Sequence, residues 1–283
     1  MESAKLMQIV KNNPVVSFFI LAFLIGLGIA GPLILSIYGI ISVELPEFLY
    51  LIAASSSTLA ALIVVSLAYG KTGTLRLLKR VVKFKVQPKW YLFAIFINPI
   101  FIVLALGLSA FFGGTFPSFT QNLASLIPVF IVVTLQAGLG EEVGWRGFAT
   151  PKLQTSFSGL IACLIVGVIW SLWHLPLYFI PEGLQNNMWL AIGFLPTFLF
   201  YTLHLVASSV IYTWSYNETG SLLMPIILHG SLNTAAGFFG SADIPVVGIL
   251  PLIFLIIFEV ILVGFIIKFS GKNLGWHQEL DIK

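Results

Sequence analysis

Long apolar runs separated by short polar stretches occupy the chain from residue 14 onward. A helix rises about 1.5 Å per residue, so roughly 20 apolar residues suffice to cross the hydrocarbon of a bilayer. Eight runs are candidates: 14–41, 49–69, 91–112, 123–149, 158–180, 188–216, 221–238 and 245–269. The pattern predicts an all-α fold, a polytopic transmembrane helix bundle of about eight spans. The first, fourth and sixth runs are long enough to tilt or protrude. The seventh is short, and if it is re-entrant seven spans remain. Residues 1–13 are polar, and the run after them is too long for a signal-peptide core, so it reads as a retained first span. No long linker, low-complexity segment or internal repeat divides the chain, which reads as a single membrane-embedded domain over 1–283.

Composition supports the same solvent. Hydrophobic residues make up 58% of the 283 positions and charged residues 9%, with a mean hydropathy of +1.02. Soluble domains carry roughly 25% charged residues; a globule this apolar could not cover its surface.

Eight spans put both termini on one side, and the charges test that. Lys5 and Lys11 precede the first span. Lys71, Arg76, Lys79, Arg80, Lys83, Lys85 and Lys89 separate the second from the third. Arg146 and Lys152 lie around the fourth connection, and Lys268, Lys272 and Lys283 close the chain. All 14 fall on the side of the termini. Positive residues mark the cytoplasmic side, so the expected protein is an integral, multi-pass protein of the cell membrane with cytoplasmic termini. Glu44, Glu47, Glu182 and Asp243 fall in the opposite loops. The basic stretch 71–89 reads as a topology determinant with a short surface helix, an anionic-lipid site being the alternative. The single Cys163 excludes an intrachain disulfide and reads as a packing residue. No arginine–aromatic pattern points to nucleic acid.

Charged groups inside the bilayer cost about 2.5–3.5 kcal/mol each on insertion scales, so those present need a reason. The fourth run ends in LGEEVGWRGFATPKLQ. Glu142 and Arg146 are four apart and share a helix face, while Glu141 points about 100° away. An ion-pair lock accounts for Glu142 and Arg146 and leaves Glu141 unexplained. The fifth run carries IWSLWHLPLYF, with Trp170 and His174 on one face and Pro176 able to bend the helix or free a carbonyl. The seventh carries TGSLLMPIILHGSLNTA, with His229 and Asn233 on one face among the small residues Gly230, Ser231, Ala235 and Ala236, which allow close helix approach. Each group alone has a packing explanation. Together, a carboxylate, two imidazoles and an amide form a toolkit for activating water and stabilising an oxyanion.

These three segments resemble the CAAX-protease and bacteriocin-processing family of intramembrane peptidases. EEVGWR fits its first motif, two glutamates followed by an arginine. SLWHLP fits the second, an aromatic residue three or four positions before a histidine, with tryptophan where the family often has phenylalanine. HGSLN fits the third, a histidine four before an asparagine. The motif core covers about 120–238.

The resemblance implies an intramembrane endopeptidase acting on a membrane-associated protein or peptide, either a CAAX-type tail or a peptide undergoing maturation. It implies catalytic roles for Glu141, as the base that activates water, for His174, which assists it, and for His229 and Asn233, which hold the oxyanion. Glu142 and Arg146 would support the motif. The family has also been called a metalloprotease family, and Glu141, His174 and His229 would make a zinc ligand set. The chain has no HExxH helix, and Asn233 suits an oxyanion donor better than a zinc ligand, so no cofactor is expected, with zinc as the alternative.

Two rival readings remain. A transporter would use buried Glu and His as a proton relay, and a non-catalytic membrane scaffold would tolerate loss of Glu141. The motif positions are all retained, which argues against an inactive member. Counted along ideal helices, Glu141 and His229 lie roughly 12 Å from the cytoplasmic ends of their runs and His174 about 25 Å. Either the fifth span starts later than residue 158 or it tilts steeply. His204 and Glu259 lie at comparable depth; His204 reads as a packing or supporting group, Glu259 as a cavity-lining group or a partner to another helix, and His277 as solvated. Trp145, Trp170 and Trp173 read as packing or interface residues, with the wall of a substrate groove as the alternative.

Overall fold

The computed structural model describes residues 2–42, 46, 48–114, 123–240 and 250–281. Glu44, Glu47, Asp243, Lys283 and the start of the eighth expected run, 245–249, lie outside the described residues. Among the described residues every regular element is helical. Among these described residues seven helices are long and apolar enough to cross a membrane: Pro14–Ile37, Ser56–Val81, Pro88–Phe111, Leu123–Gln154, Gly159–Phe179, Phe194–Thr219 and Leu250–Ser270. A polar N-terminal helix, α1 (Glu2–Asn12), precedes them. The spans α2 (Pro14–Ile37) and α5 (Pro88–Phe111) each open on a proline whose fixed φ suits the first helical turn.

The second span keeps its expected limits, and three other runs, the fourth, fifth and sixth, shift or split, each for a local reason. The second span joins α3 (Phe48–Ala54) to the first part of α4 (Ser56–Val81), and backbone bonds run unbroken through Ser55. Gly70, at φ 62° and ψ −165°, then breaks α4, so residues 71–81 form a separate helix. The fourth span runs to Gln154 rather than 149 and includes α6 (Leu126–Val133), α7 (Leu139–Gly144) and α8 (Thr150–Gln154). The fifth, α9 (Gly159–Trp173), stops at His174, and a 3-10 turn, Leu175–Phe179, follows around Pro176. The sixth splits at Gly193 (φ 86°) into α10 (Leu184–Ile192) and α11 (Phe194–Thr219). The seventh expected span is a helix, α12 (Leu223–Gly240), but it is not one of the seven membrane-length helices; its polar positions His229, Ser231, Asn233 and Thr234 dilute the run. The last span is α13 (Leu250–Ser270).

These shifts remove the mismatch in depth. With the fourth span ending at Gln154, Glu141 lies about 20 Å along its helix from that end, and His174 about 22 Å from the start of α9. His229 of α12 meets Glu142 at 2.8 Å and so lies at the level of the motif carboxylates.

Glycines let the fourth span sink among its neighbours. A Cβ on Gly138 would meet the backbone oxygen of Ile226, and one on Gly230 would meet Thr134. The first segment of the span to open is π-helical, Thr134–Gly138, and a second, Trp145–Ala149, follows α7. Such segments loosen the regular backbone ladder and recur at functional sites. Here the hydroxyls of α4 grip carbonyls of α7: Ser57 Oγ donates to Glu141 O at 3.0 Å and Thr58 Oγ1 to Leu139 O at 2.9 Å. Gly144 makes this approach possible, since its Cβ would stand 2.5 Å from Ser57 O. Gly144→Ala is therefore expected to destabilise the protein by about 1–3 kcal/mol through overpacking, read as a lower melting temperature in detergent. Gly107→Ala, where nothing lies within 4 Å, is the control and leaves the melting temperature unchanged or raised.

At the end of the bundle carrying Gln154, the chain folds back on itself. Arg80 Nη1 donates to Leu280 O at 2.8 Å and to Tyr216 Oη at 3.0 Å. Lys152 Nζ pairs with Asp281 at 2.9 Å, and Asn217 donates to Leu274 O at 2.9 Å.

Candidate active site

Four ionisable groups of the first and third motifs meet inside the bundle, beside Trp170 of the second. Glu141 and Glu142 of α7 are both buried, at 5% and 0% exposure. Helical spacing sends them to different partners, as expected. Glu142 pairs with Arg146 one turn on, at 3.0 Å, and also accepts from His229 Nδ1 of α12 at 2.8 Å. The Arg146 guanidinium carbon lies over the rings of Trp170, at 4.2 Å, and Tyr212, at 5.1 Å. The sequence reading paired Glu142 with Arg146 alone; the structure makes it the anchor of His229 as well.

Glu141 turns the other way. Its Oε2 accepts from Trp170 Nε1 at 2.6 Å, and its Oε1 stands 4.0 Å from His229 Nε2. That separation is beyond hydrogen-bond reach, so both atoms are free to act on a third group. Trp170 is thus neither an interface anchor nor a mere wall of the pocket: it orients the carboxylate. Trp145 is fully buried against Phe18, and Trp173 donates to Ser56 Oγ at 3.0 Å.

His174 sits where α9 ends, and its Nδ1 faces Trp170 O at 2.8 Å. A carbonyl only accepts, so Nδ1 carries the proton. The same holds for His229 Nδ1 against the Glu142 carboxylate. Neutral, both rings therefore present Nε2 as a lone pair. His229 becomes a donor at Nε2 only as imidazolium, in which case Glu141, Glu142, Arg146 and His229 sum to zero charge.

Asn233, one turn beyond His229, is exposed on the bundle surface, and no hydrogen bond holds its amide among the described residues. The structure thus brings Glu141, Glu142, Arg146 and His229 into contact, links His174 to them through Trp170, and places Asn233 at the rim.

Three supporting side chains, Asn98, Tyr201 and Gln185, were not singled out from the sequence. Asn98 of α5, buried, donates to Leu228 O at 2.8 Å and so fixes α12 just before His229. The signal was there: a lone amide in the apolar run IFINPIF. Tyr201 of α11 packs edge-on to His174, centroids 5.5 Å apart, and its hydroxyl accepts from Gln185 at 3.0 Å. His204 and Glu259 pair with each other, Nδ1 to Oε2 at 2.9 Å, and Ser208 Oγ donates to the second carboxylate oxygen at 3.2 Å. His277 is exposed in the tail.

Among the described residues, no group of three or more His, Cys, Asp or Glu side chains is placed to hold a metal ion.

The motif segment is also where known proteins match. Residues 121–235 match the family described as type II CAAX prenyl endopeptidase Rce1-like. The chain is 31% identical over 146 residues to CAAX prenyl protease 2 of Methanococcus maripaludis, a stretch covering 48% of this chain and 51% of that protein. The chain thus matches about half the length of this curated relative. The family resemblance carried by the three motifs is borne out over this segment.

Proposed function

We propose, from this similarity and from the geometry of the buried site, that the chain is an intramembrane endopeptidase hydrolysing a peptide bond near the end of a membrane-associated protein or peptide, of CAAX type or a peptide undergoing maturation. The observation that carries the reading is the placement of Glu141. It is a buried carboxylate oriented by Trp170, left out of the Glu142–Arg146 pair, and faces His229 across a short gap. A purely structural carboxylate would be expected in the ion-pair network; this one is held beside it.

The substrate segment enters between helices, on the side where Asn233 is exposed. Glu141 takes a proton from water as the oxygen attacks the peptide carbonyl. The Nε2 lone pair of His174 assists in positioning or relaying that proton. The oxyanion is received by protonated His229 Nε2 and by the Asn233 amide. The proton then passes to the leaving amine. Two free donors and one free base meet the minimum for water-driven amide hydrolysis without a covalent intermediate.

Purified full-length protein in detergent is expected to cleave members of a fluorogenic peptide library, and to do so with a strong zinc chelator present. Loss of activity to the chelator, restored by zinc, would move the assignment to a metal-dependent peptidase. Asn233→Ala, which touches no buried contact, is expected to lower the rate about 10²–10³-fold, as loss of one oxyanion donor does, with an unchanged melting temperature. A wild-type rate in that variant would remove Asn233 from the mechanism.

A further inference from the structure

The helix that follows the break at Gly70 has three distinct sides. One is buried: Gly73 and Leu77 face the bundle, and Leu77 lies where a Cβ on Gly147 of the motif helix would stand, 2.8 Å away. The second is apolar and exposed: Leu75 is 46% accessible and Leu78 42%, and they continue into Val82 at 67% and Phe84 at 65%. The third is basic, carrying Arg76, Lys79 and Lys83, with Lys71, Lys85 and Lys89 exposed at the two ends of the stretch. At about 100° per residue, Leu75, Leu78 and Val82 fall in one sector, and Lys79, Arg76 and Lys83 in the next.

An exposed apolar strip bordered by a strip of cations is the arrangement of a helix lying in a membrane interface, apolar side in the acyl boundary and cations among headgroups. A plain topology determinant needs the charges but not the strip. Gly70, at φ 62°, separates this helix from the span before it.

We propose that residues 71–89 form an interfacial element that binds anionic lipid, with the negatively charged leaflet as its partner. The segment is also tied to the site's scaffold. Leu222 N donates to Arg80 O at 2.9 Å, Ser221 Oγ to Lys83 O, and Lys83 Nζ to Thr219 O at 2.7 Å. These bonds hold the turn from which α12 and His229 begin. Lipid seated on this element therefore braces both the turn before His229 and, through Leu77, the motif helix at Gly147.

Lys71, Lys79 and Lys85 are the cations to test, since Arg80 and Lys83 are engaged within the protein. Each is expected to contribute about fivefold to lipid affinity at low salt. Native mass spectrometry of the full chain, titrated in detergent with phosphatidylglycerol or phosphatidylcholine, reads the affinity directly. The wild type is expected to prefer phosphatidylglycerol, and the preference to fall steeply with added salt. K71Q/K79Q/K85Q is expected to lose about 100-fold in phosphatidylglycerol affinity, with phosphatidylcholine binding unchanged. Leu78→Glu, which keeps every cation, is expected to weaken binding of the same lipid. Equal affinity for the two lipids in the wild type would overturn the proposal. So would a wild-type preference retained in the triple variant, or a response reproduced by soluble glycerol phosphate.

Discussion

Glu141→Gln is expected to abolish cleavage, lowering the rate by about 10²–10⁴-fold, the range contributed by a positioned general base, while the protein still folds. Glutamine has the same shape and can keep its carbonyl oxygen toward Trp170 Nε1, the contact that holds Glu141 in place at 2.6 Å. What it loses is the basic oxygen facing His229. Glu141 takes no part in the Glu142–Arg146 pair, so the bundle's own ion pair is intact in the variant. The measurement is turnover of a peptide cleaved by the wild type, with melting temperature and helical content followed in parallel. A folded variant that turns over at the wild-type rate would remove Glu141 as the base and leave the scaffold or transport readings ahead. The same substitution in Glu142 is expected to act differently, since it disturbs both Arg146 and the ring of His229.

Arg146→Ala is expected to be the most destabilising single change in the motif. The side chain is fully buried, as is its partner Glu142. Removing one member of a buried pair leaves the other charge unpaired, at a cost of about 3–5 kcal/mol. Here the guanidinium also packs against the Trp170 and Tyr212 rings, so packing is lost along with charge. Lysine is not expected to rescue it, because an ammonium does not reproduce the stacking and forked hydrogen bonding of a guanidinium. Unfolding in detergent should show a large drop in melting temperature for Arg146→Ala. A double change, Glu142→Gln with Arg146→Met, is expected to cost less than the sum of the two single changes, because neither charge is then stranded. Strict additivity would mean that the two side chains are not coupled.

The fold was largely readable because lipid imposes a coarse rule: apolar runs of sufficient length become helices, and the runs are long. Where boundaries were misplaced, one residue acted within a run of uniform hydropathy. Gly193 turns the chain without changing its polarity, and His174–Pro176 ends α9 in the middle of an apolar stretch. The π-helical segments around Glu141 were invisible, since hydropathy is the same for either helix type. In the site, the four-residue spacing of Glu142 and Arg146 gave their contact directly. The bond from Trp170 to Glu141 spans 29 positions and that from His229 to Glu142 spans 87, and no local periodicity reports such pairs. Motif identity suggested which residues converge; only the packed helices show that Trp170 serves two of them, donating to Glu141 and accepting from His174.

The bond from Arg80 to the carbonyl of Leu280 has a temporal consequence. The partners stand 200 positions apart, and a ribosome adding about 5–20 residues per second needs roughly 10–40 s to make that stretch. Through that interval most of the helices have been made, but the clasp at the Gln154 end of the bundle has no second half. Arg80 meets only Tyr216 or the surrounding headgroups until the tail arrives. The assembly of that end is therefore set by the clock of translation, and its last contacts form only after α13 has left the ribosome.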